Sequence, residues 1–146
     1  MAESRLVPSN LMTWPRVRDL LPDQKLIVYH LWATSASSAG CNLVDVHGLS
    51  AHLSLASPAL EEALGEFQRR GLVQIDKETG EVFIADWFRF HKFAPGARFR
   101  LLQQDVEKIA SERLRGLVKD AARRHGVALT DQDDGDYPID FVPTYG

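Results

Sequence analysis

Cysteine is all but missing: Cys41 is the only one in 146 residues, so no internal disulfide can brace the fold, and packing alone must hold it, as in a reducing compartment. That places the chain in the cytoplasm as an expectation. Long apolar runs are missing too. Residues 1–8 carry Glu3 and Arg5 and do not read as a leader, and no stretch approaches the ~18 apolar residues of a membrane helix, so no membrane role is expected. The residue patterns of catalysis are equally scarce. His30, His47, His52, His91 and His125 have no metal-ligand spacing, and there is no glycine-rich phosphate loop. Cys41, without a basic neighbour, reads as a small buried hydrophobe. The expectation is a binding protein and not an enzyme, with no metal and no cofactor.

What is present is the composition of an ordinary globular domain, 45% hydrophobic and 25% charged. The net charge of -3 hides a sharp partition. Residues 1–88 carry seven Lys or Arg against eleven acids, residues 89–124 carry ten against four, and residues 125–146 carry five aspartates and no base. A basic segment therefore lies between an acidic body and an acidic tail, an arrangement that points to separate tasks.

Residues 1–22 form an N-terminal extension, with a short helix expected over 16–21. Asp23 is placed to cap a first helix over 24–34, whose Leu26, Ile27, Tyr29, Leu31 and Trp32 wrap most of its surface and predict a central, buried element. After the small, polar loop 35–40, residues 41–46 suit a short strand and 46–53 a second helix. Ser57 as N-cap and Pro58 in the first turn open a third helix. Its Leu60, Leu64 and Phe67 form an inward stripe, and Gly71 offers a left-handed stop. Residues 72–76 and 81–85 are strand-like and joined through Gly80, which makes a hairpin. Trp87, Phe88, Phe90 and Phe93 should fold back over the core. This order predicts an α+β fold, a winged helix-turn-helix over residues 23–93 with a three-helix core and a β-hairpin wing. Residues 97–126 then read as one long basic amphipathic helix ending at Gly126, about 40 Å long at 1.5 Å per residue. Residues 127–146 form an acidic tail expected to lack structure of its own.

The segment Leu21-Pro22-Asp23-Gln24-Lys25-Leu26-Ile27-Val28-Tyr29-His30-Leu31-Trp32, followed by Gly40, by Leu60-Glu61-Glu62-Ala63-Leu64, by Arg69-Arg70-Gly71-Leu72-Val73 and by Ala85-Asp86-Trp87-Phe88-Arg89-Phe90-His91-Lys92, resembles the N-terminal winged-helix domain of phage replisome organisers and DnaD-type primosome proteins. The resemblance covers about half of the chain. It implies a part in phage or plasmid DNA replication or its regulation, by binding DNA, by self-association or by contacting a replication partner. The separate C-terminal domain of that family is not recognisable after residue 100, which implies a shorter relative.

Two classes of partner stay open. For DNA, the expected contacts are with backbone phosphates, through Arg69, Arg70, Arg89, Lys92, Arg98 and Arg100, with Arg98 and Arg100 foremost. The basic residues of 89–124 read equally well as solvated helix charges. Against DNA stand Glu61, Glu62 and Glu66 on the third helix, where a winged helix normally meets the major groove, and Asp76, Glu78 and Glu81 on the hairpin. For protein, the acidic third helix and the Asp-rich tail would serve an interaction module without direct DNA binding, the tail reaching a replication partner. A homodimer is expected through Leu102, Val106, Ile109 and Leu117, the apolar stripe of a helix longer than its domain.

Overall fold

The computed structural model describes residues 5–129. The tail readings for residues 130–146 lie outside the described residues. The fold is α+β: helices α1 (Pro22–Ala33), α2 (Val46–Leu53), α3 (Ser57–Arg69), α4 (Trp87–Phe90), α5 (Ala97–Glu107) and α6 (Glu112–Arg124), with strands β1 (Cys41–Leu43), β2 (Val73–Asp76) and β3 (Glu81–Ile84). The sheet is antiparallel in the order β1-β3-β2, with Cys41 opposite Phe83 and Val73 opposite Ile84. No described helix is long and apolar enough to cross a membrane.

Local chemistry sets most of the boundaries. Pro22, with its fixed φ and missing amide hydrogen, takes the first turn of α1, so the helix begins one residue before the expected Asp23 cap. Leu21 is the N-cap, and its amide donates to Gln24 Oε1 at 3.1 Å. In α3 the N-cap is Ala56 and Ser57 is already helical, without a side-chain cap. The expected helix over 16–21 is absent. A single 3-10 turn at Leu11–Thr13 takes its place, and the extension continues as turns. α3 ends as its sequence dictates: Gly71 has φ +74, its amide donates to the Gln68 carbonyl and the Leu72 amide to that of Phe67. Gly80 and Gly126, at φ +77 and +84, close the hairpin and α6 in the same left-handed region.

Leu60, Leu64 and Phe67 point inward, and Val82, Phe83 and Ile84 are buried in succession. Consecutive strand residues face opposite sides, so both faces of β3 are covered. One cover is unexpected. Instead of a single projecting helix, residues 97–126 break at Lys108–Ser111 into two helices, and α6 lies against β2 and β3. Leu102 (0% exposed), Val106 (1%) and Ile109 (4%) are therefore spent in the chain's own core, with Leu117 packed against it. The 40 Å helix that motivated a dimer does not exist. Conversely, α1 is less central than expected: Ile27, Val28 and Trp32 are buried, but Leu26 is 45% and Tyr29 50% exposed.

At the centre sits Trp87, fully buried. Its Nε1–H donates to the Ser38 carbonyl at 2.9 Å, and its ring stacks on Trp32 at 5.5 Å and on His91 at 3.7 Å. Gly40, at φ +70, lies directly against this ring, and a Cβ there would stand 2.4 Å from Trp87 Cγ and Cδ2. We predict that Gly40→Ala lowers stability by about 2–4 kcal/mol, since overpacking and left-handed strain add. Gly116→Ala, inside α6 with nothing within 4 Å, should raise it by about 0.5–1 kcal/mol. Urea unfolding checks both, and a Gly40→Ala protein as stable as its parent contradicts this packing.

Candidate nucleic-acid interface

The six candidate cations fall into two groups. Arg70 is locked in place: its Nε–H donates to Glu66 Oε2 at 2.6 Å, and its Nη1 donates to Asp19 Oδ1 at 2.6 Å and to the Arg16 carbonyl at 3.1 Å. Arg69 donates to the other oxygen of Glu66 at 2.7 Å. Hydrogen bonds from Arg70 hold both the Asp19 and the Glu66 carboxyls below their usual range. Arg89 stands 3.6 Å from Asp86, which also accepts from Arg16 at 2.8 Å, and the guanidinium groups of Arg89 and Arg16 each lie 5.9 Å from the centre of the Trp14 ring. Arg16 and Asp19 were not singled out in the sequence. They bind partners 51 to 70 residues away, and no local pattern marks such pairs. Arg69, Arg70 and Arg89 thus belong to a network that ties the N-terminal extension to the end of α3 and the start of α4, in which Arg69 and Arg70 share Glu66 and Arg89 and Arg16 share Asp86.

Lys92, Arg98 and Arg100 are different. All three are exposed, and none makes an ion pair or side-chain hydrogen bond with any described residue. They sit on the link from α4 to α5 and on the first turn of α5, which Gly96 enters at φ +137. A further cation, Arg5, also missed in the sequence, lies near Arg98. Arg5 donates to the carbonyls of Ser35 and Ala36 at 2.7 and 2.9 Å. Burial chiefly lowers its pKa, and the charge of Arg98 lowers it further, while Asp105 opposes both. Asp105 is itself occupied, accepting from the amide and the hydroxyl of Ser38 at 2.8 and 2.6 Å. Arg5 and Arg98 also flank His91, whose Nδ1 lies 3.1 Å from the Trp87 carbonyl.

The acids expected to repel phosphate are only partly free. Glu61 and Glu62 are exposed on α3. On the hairpin, however, Glu81 accepts the amide hydrogens of Ala110 and Ser111 at 2.9 and 2.8 Å, while Ser111 Oγ accepts from Leu114 N at 3.1 Å. A carboxylate at the positive end of a helix both satisfies its open amides and complements its dipole. Asp76 is held below the usual carboxyl range chiefly by the Ser111 hydroxyl, and Arg113 donates to the Ile75 carbonyl. The hairpin's acids are largely the cap of α6, which is why the helical segment breaks there.

The remaining chemistry is sparse. Burial, aided by the charge of Glu81, pushes the Cys41 thiol up to about 12, which leaves almost no thiolate for nucleophilic attack near neutral pH. The rings of His30 and His52 lie 5.5 Å apart beside a groove of about 460 Å³ between α1, β1 and α2. The pairing of His30 with His52 of α2 has no signature in the sequence. Among the described residues no group of three or more His, Cys, Asp or Glu gathers as a metal site. Comparison with known proteins gives no match to a protein-family model, to a curated protein or to a solved structure. The resemblance to primosome proteins therefore rests on the quoted residues alone.

His91 yields a pH prediction. It is buried, its Nε2 has no hydrogen-bond partner among the described residues, and desolvation chiefly holds its pKa below the ordinary 6.5, with Arg5 and Arg98 adding to the effect and the Trp87 carbonyl opposing it. Since the folded-state pKa is depressed, the unfolded chain takes up the proton first, and stability present above pH 6.5 is lost as the pH falls. The urea midpoint should drop between about pH 7 and pH 5, and the NMR signals of the His91 ring should titrate below 6.5. A His91 that titrates at or above that value contradicts this environment.

Proposed function

We propose that this chain is a winged-helix DNA-binding protein that grips backbone phosphates through Lys92, Arg98 and Arg100 and not through its third helix. The observation that carries the reading is the sorting of charge: Arg69, Arg70 and Arg89 have carboxylate partners, whereas Lys92, Arg98 and Arg100 are exposed and have none among the described residues, and Arg98 lies close enough to Arg5 to act on its charge. Support for the winged-helix assignment comes from the order α1-β1-α2-α3-β2-β3 with the sheet order β1-β3-β2. In this reading α2 and α3, joined at residues 54–56 through Ser54 at φ 59, are the helix-turn-helix, and β2-β3 is the wing.

Base-specific docking by α3 is disfavoured by Glu61 and Glu62, whose charges face the same solvent that a major groove would have to occupy. Contact through phosphates alone carries no sequence information, so the protein should bind duplexes of unrelated sequence with similar affinity. The resemblance to primosome proteins supplies the setting we propose, phage or plasmid replication or its control. A second reading, a protein-interaction module without DNA binding, is favoured by one specific feature, the apolar Leu26 and Tyr29 left open on α1 beside acidic Asp23. In either reading a homodimer would need a surface other than the buried α5–α6 stripe.

Salt separates the two readings. Three phosphate contacts should give a slope of about -2.7 in log K against log salt, and each of Lys92→Ala, Arg98→Ala and Arg100→Ala should reduce that slope by about 1. Fluorescence anisotropy with a labelled 20-base-pair duplex measures both. If no duplex binds at low salt, the protein-interaction reading replaces this one; if binding is unchanged by the three substitutions, the contacts lie elsewhere.

A further inference from the structure

Two histidines meet where two helices end. His30 lies in the last turn of α1 and His52 in the last turn of α2, and their rings stand 5.5 Å apart with 51° between the ring planes. The other described histidines have no such partner: His47 and His125 are exposed, and His91 is buried against Trp87. The ring nitrogens of His30 and His52 make no hydrogen bond to any described residue. His52 is exposed and His30 half-buried, and both border the groove between α1, β1 and α2, so an ion from solvent reaches the pair.

The spacing fits one ion shared by two imidazoles. An ion about 2.1 Å from one nitrogen of each ring stands about 3.2 Å from each ring centre, and a tetrahedral angle then sets the centres about 5.2 Å apart. The observed 5.5 Å is within a small side-chain rotation of that value. The local field favours a cation too, because helix C-termini carry the partial negative charge of the backbone dipole and two such ends converge here. Asp45, on the same groove, uses its side chain neither to cap α2 nor to form an ion pair with a described residue. Its carboxylate adds a negative charge and an acceptor for a metal-bound water. Burial chiefly lowers the pKa of His30, with the charge of His52 adding to the effect, which favours the neutral ring that ligation requires. Imidazole nitrogens select zinc, nickel or copper over the hard ions magnesium and calcium.

We propose that His30 and His52 form a two-imidazole site for a divalent transition ion of the zinc class, completed by water, which staples α1 to α2. The helix that gains most is α2, which alone among the described helices buries none of its residues and is held only by partial contacts, the condition for easy local opening. In the DNA-binding reading α2 is the first helix of the helix-turn-helix, and the ion would fix it against the core. The site itself does not depend on that reading.

The test titrates zinc chloride into the full-length, tag-free protein and follows it by NMR. The ring signals of His30 and His52 should move along one curve at one ion per chain, while those of His91 stay in place. At zinc about ten times its dissociation constant, amide exchange through openings of α2 should slow about tenfold. His52→Ala and His30→Gln should each weaken zinc binding at least about tenfold, whereas His47→Ala should leave it unchanged. Magnesium chloride should move neither ring. Different curves for the two rings, a zinc affinity unaltered by His52→Ala, or α2 exchange indifferent to zinc would each overturn the proposal, since these are the signs of independent surface histidines. His52 is exposed, so its truncation leaves the fold intact; if His30→Gln unfolds the chain, the parent titration and His52→Ala still decide.

Discussion

The fold depends on the Trp87 ring lying flat against the backbone of Gly40. Only a residue without a Cβ lets the strand-entry loop come this close, and the contact fixes several parts of the chain at once. The Ser38 carbonyl receives the indole hydrogen of Trp87, and Ser38 in turn binds Asp105 of α5 through its amide and hydroxyl. The Gly40 carbonyl accepts the Ile84 amide, which pins β1 to β3. Arg5 closes the same loop through the Ser35 and Ala36 carbonyls. One loop of small residues thus joins the N-terminal extension, the sheet, α4 and α5, and Trp87 is the body around which it closes.

From this anchor the distribution of charge follows. With α5 held by Ser38 and α6 capped by Glu81, the C-terminal helices fold back on the sheet and bury Leu102, Val106 and Ile109. Full burial of side chains of this size stabilises by about 1.5–3 kcal/mol each, far more than an exposed helix would gain from surface ion pairs worth about 0–1 kcal/mol. The core takes the apolar stripe and the hairpin takes the cap. Lys92, Arg98 and Arg100 at the entrance to α5 are left without carboxylate partners among the described residues, while Asp86 serves Arg16 and Arg89 and Asp105 serves Ser38. A surface that is acidic over α3 and open and basic at the α4–α5 link is the outcome.

Elements set by local rules were legible in the sequence. The inward stripe of α3 and the left-handed stops at Gly71, Gly80 and Gly126 are marked within a few residues of where they act, and the structure has them. The reading failed where the cause lay far along the chain. The helix break at Lys108–Ser111 depends on Glu81, 29 and 30 residues away, so residues 97–126 looked continuous and their apolar stripe looked free. Arg70 has one partner at legible helical spacing, Glu66 four residues earlier, but its second, Asp19, lies 51 residues back and is invisible to any periodicity. Periodicity in α1 promised burial on all sides, whereas the helix lies at an edge and leaves Leu26 and Tyr29 open. At the candidate interface Lys92, Arg98 and Arg100 are candidates from composition, and which cations already have carboxylate partners, and the presence of Arg5 near Arg98, required the three-dimensional arrangement.

The central claim is that residues 5–129 share one core, in which α5 and α6 are as integral as α1 to α3. Native-state hydrogen exchange tests it most directly. The slowest amides of α6, around Leu114, Val118 and Ala122, should open with the same free energy as those of Phe67 in α3 and Phe83 in β3, to within about 1 kcal/mol. Exchange of α6 at a much lower free energy, while α3 and β3 stay protected, would mean that the C-terminal helices form a separate, detachable unit, and the account given for the core and for the charges it leaves free would not hold.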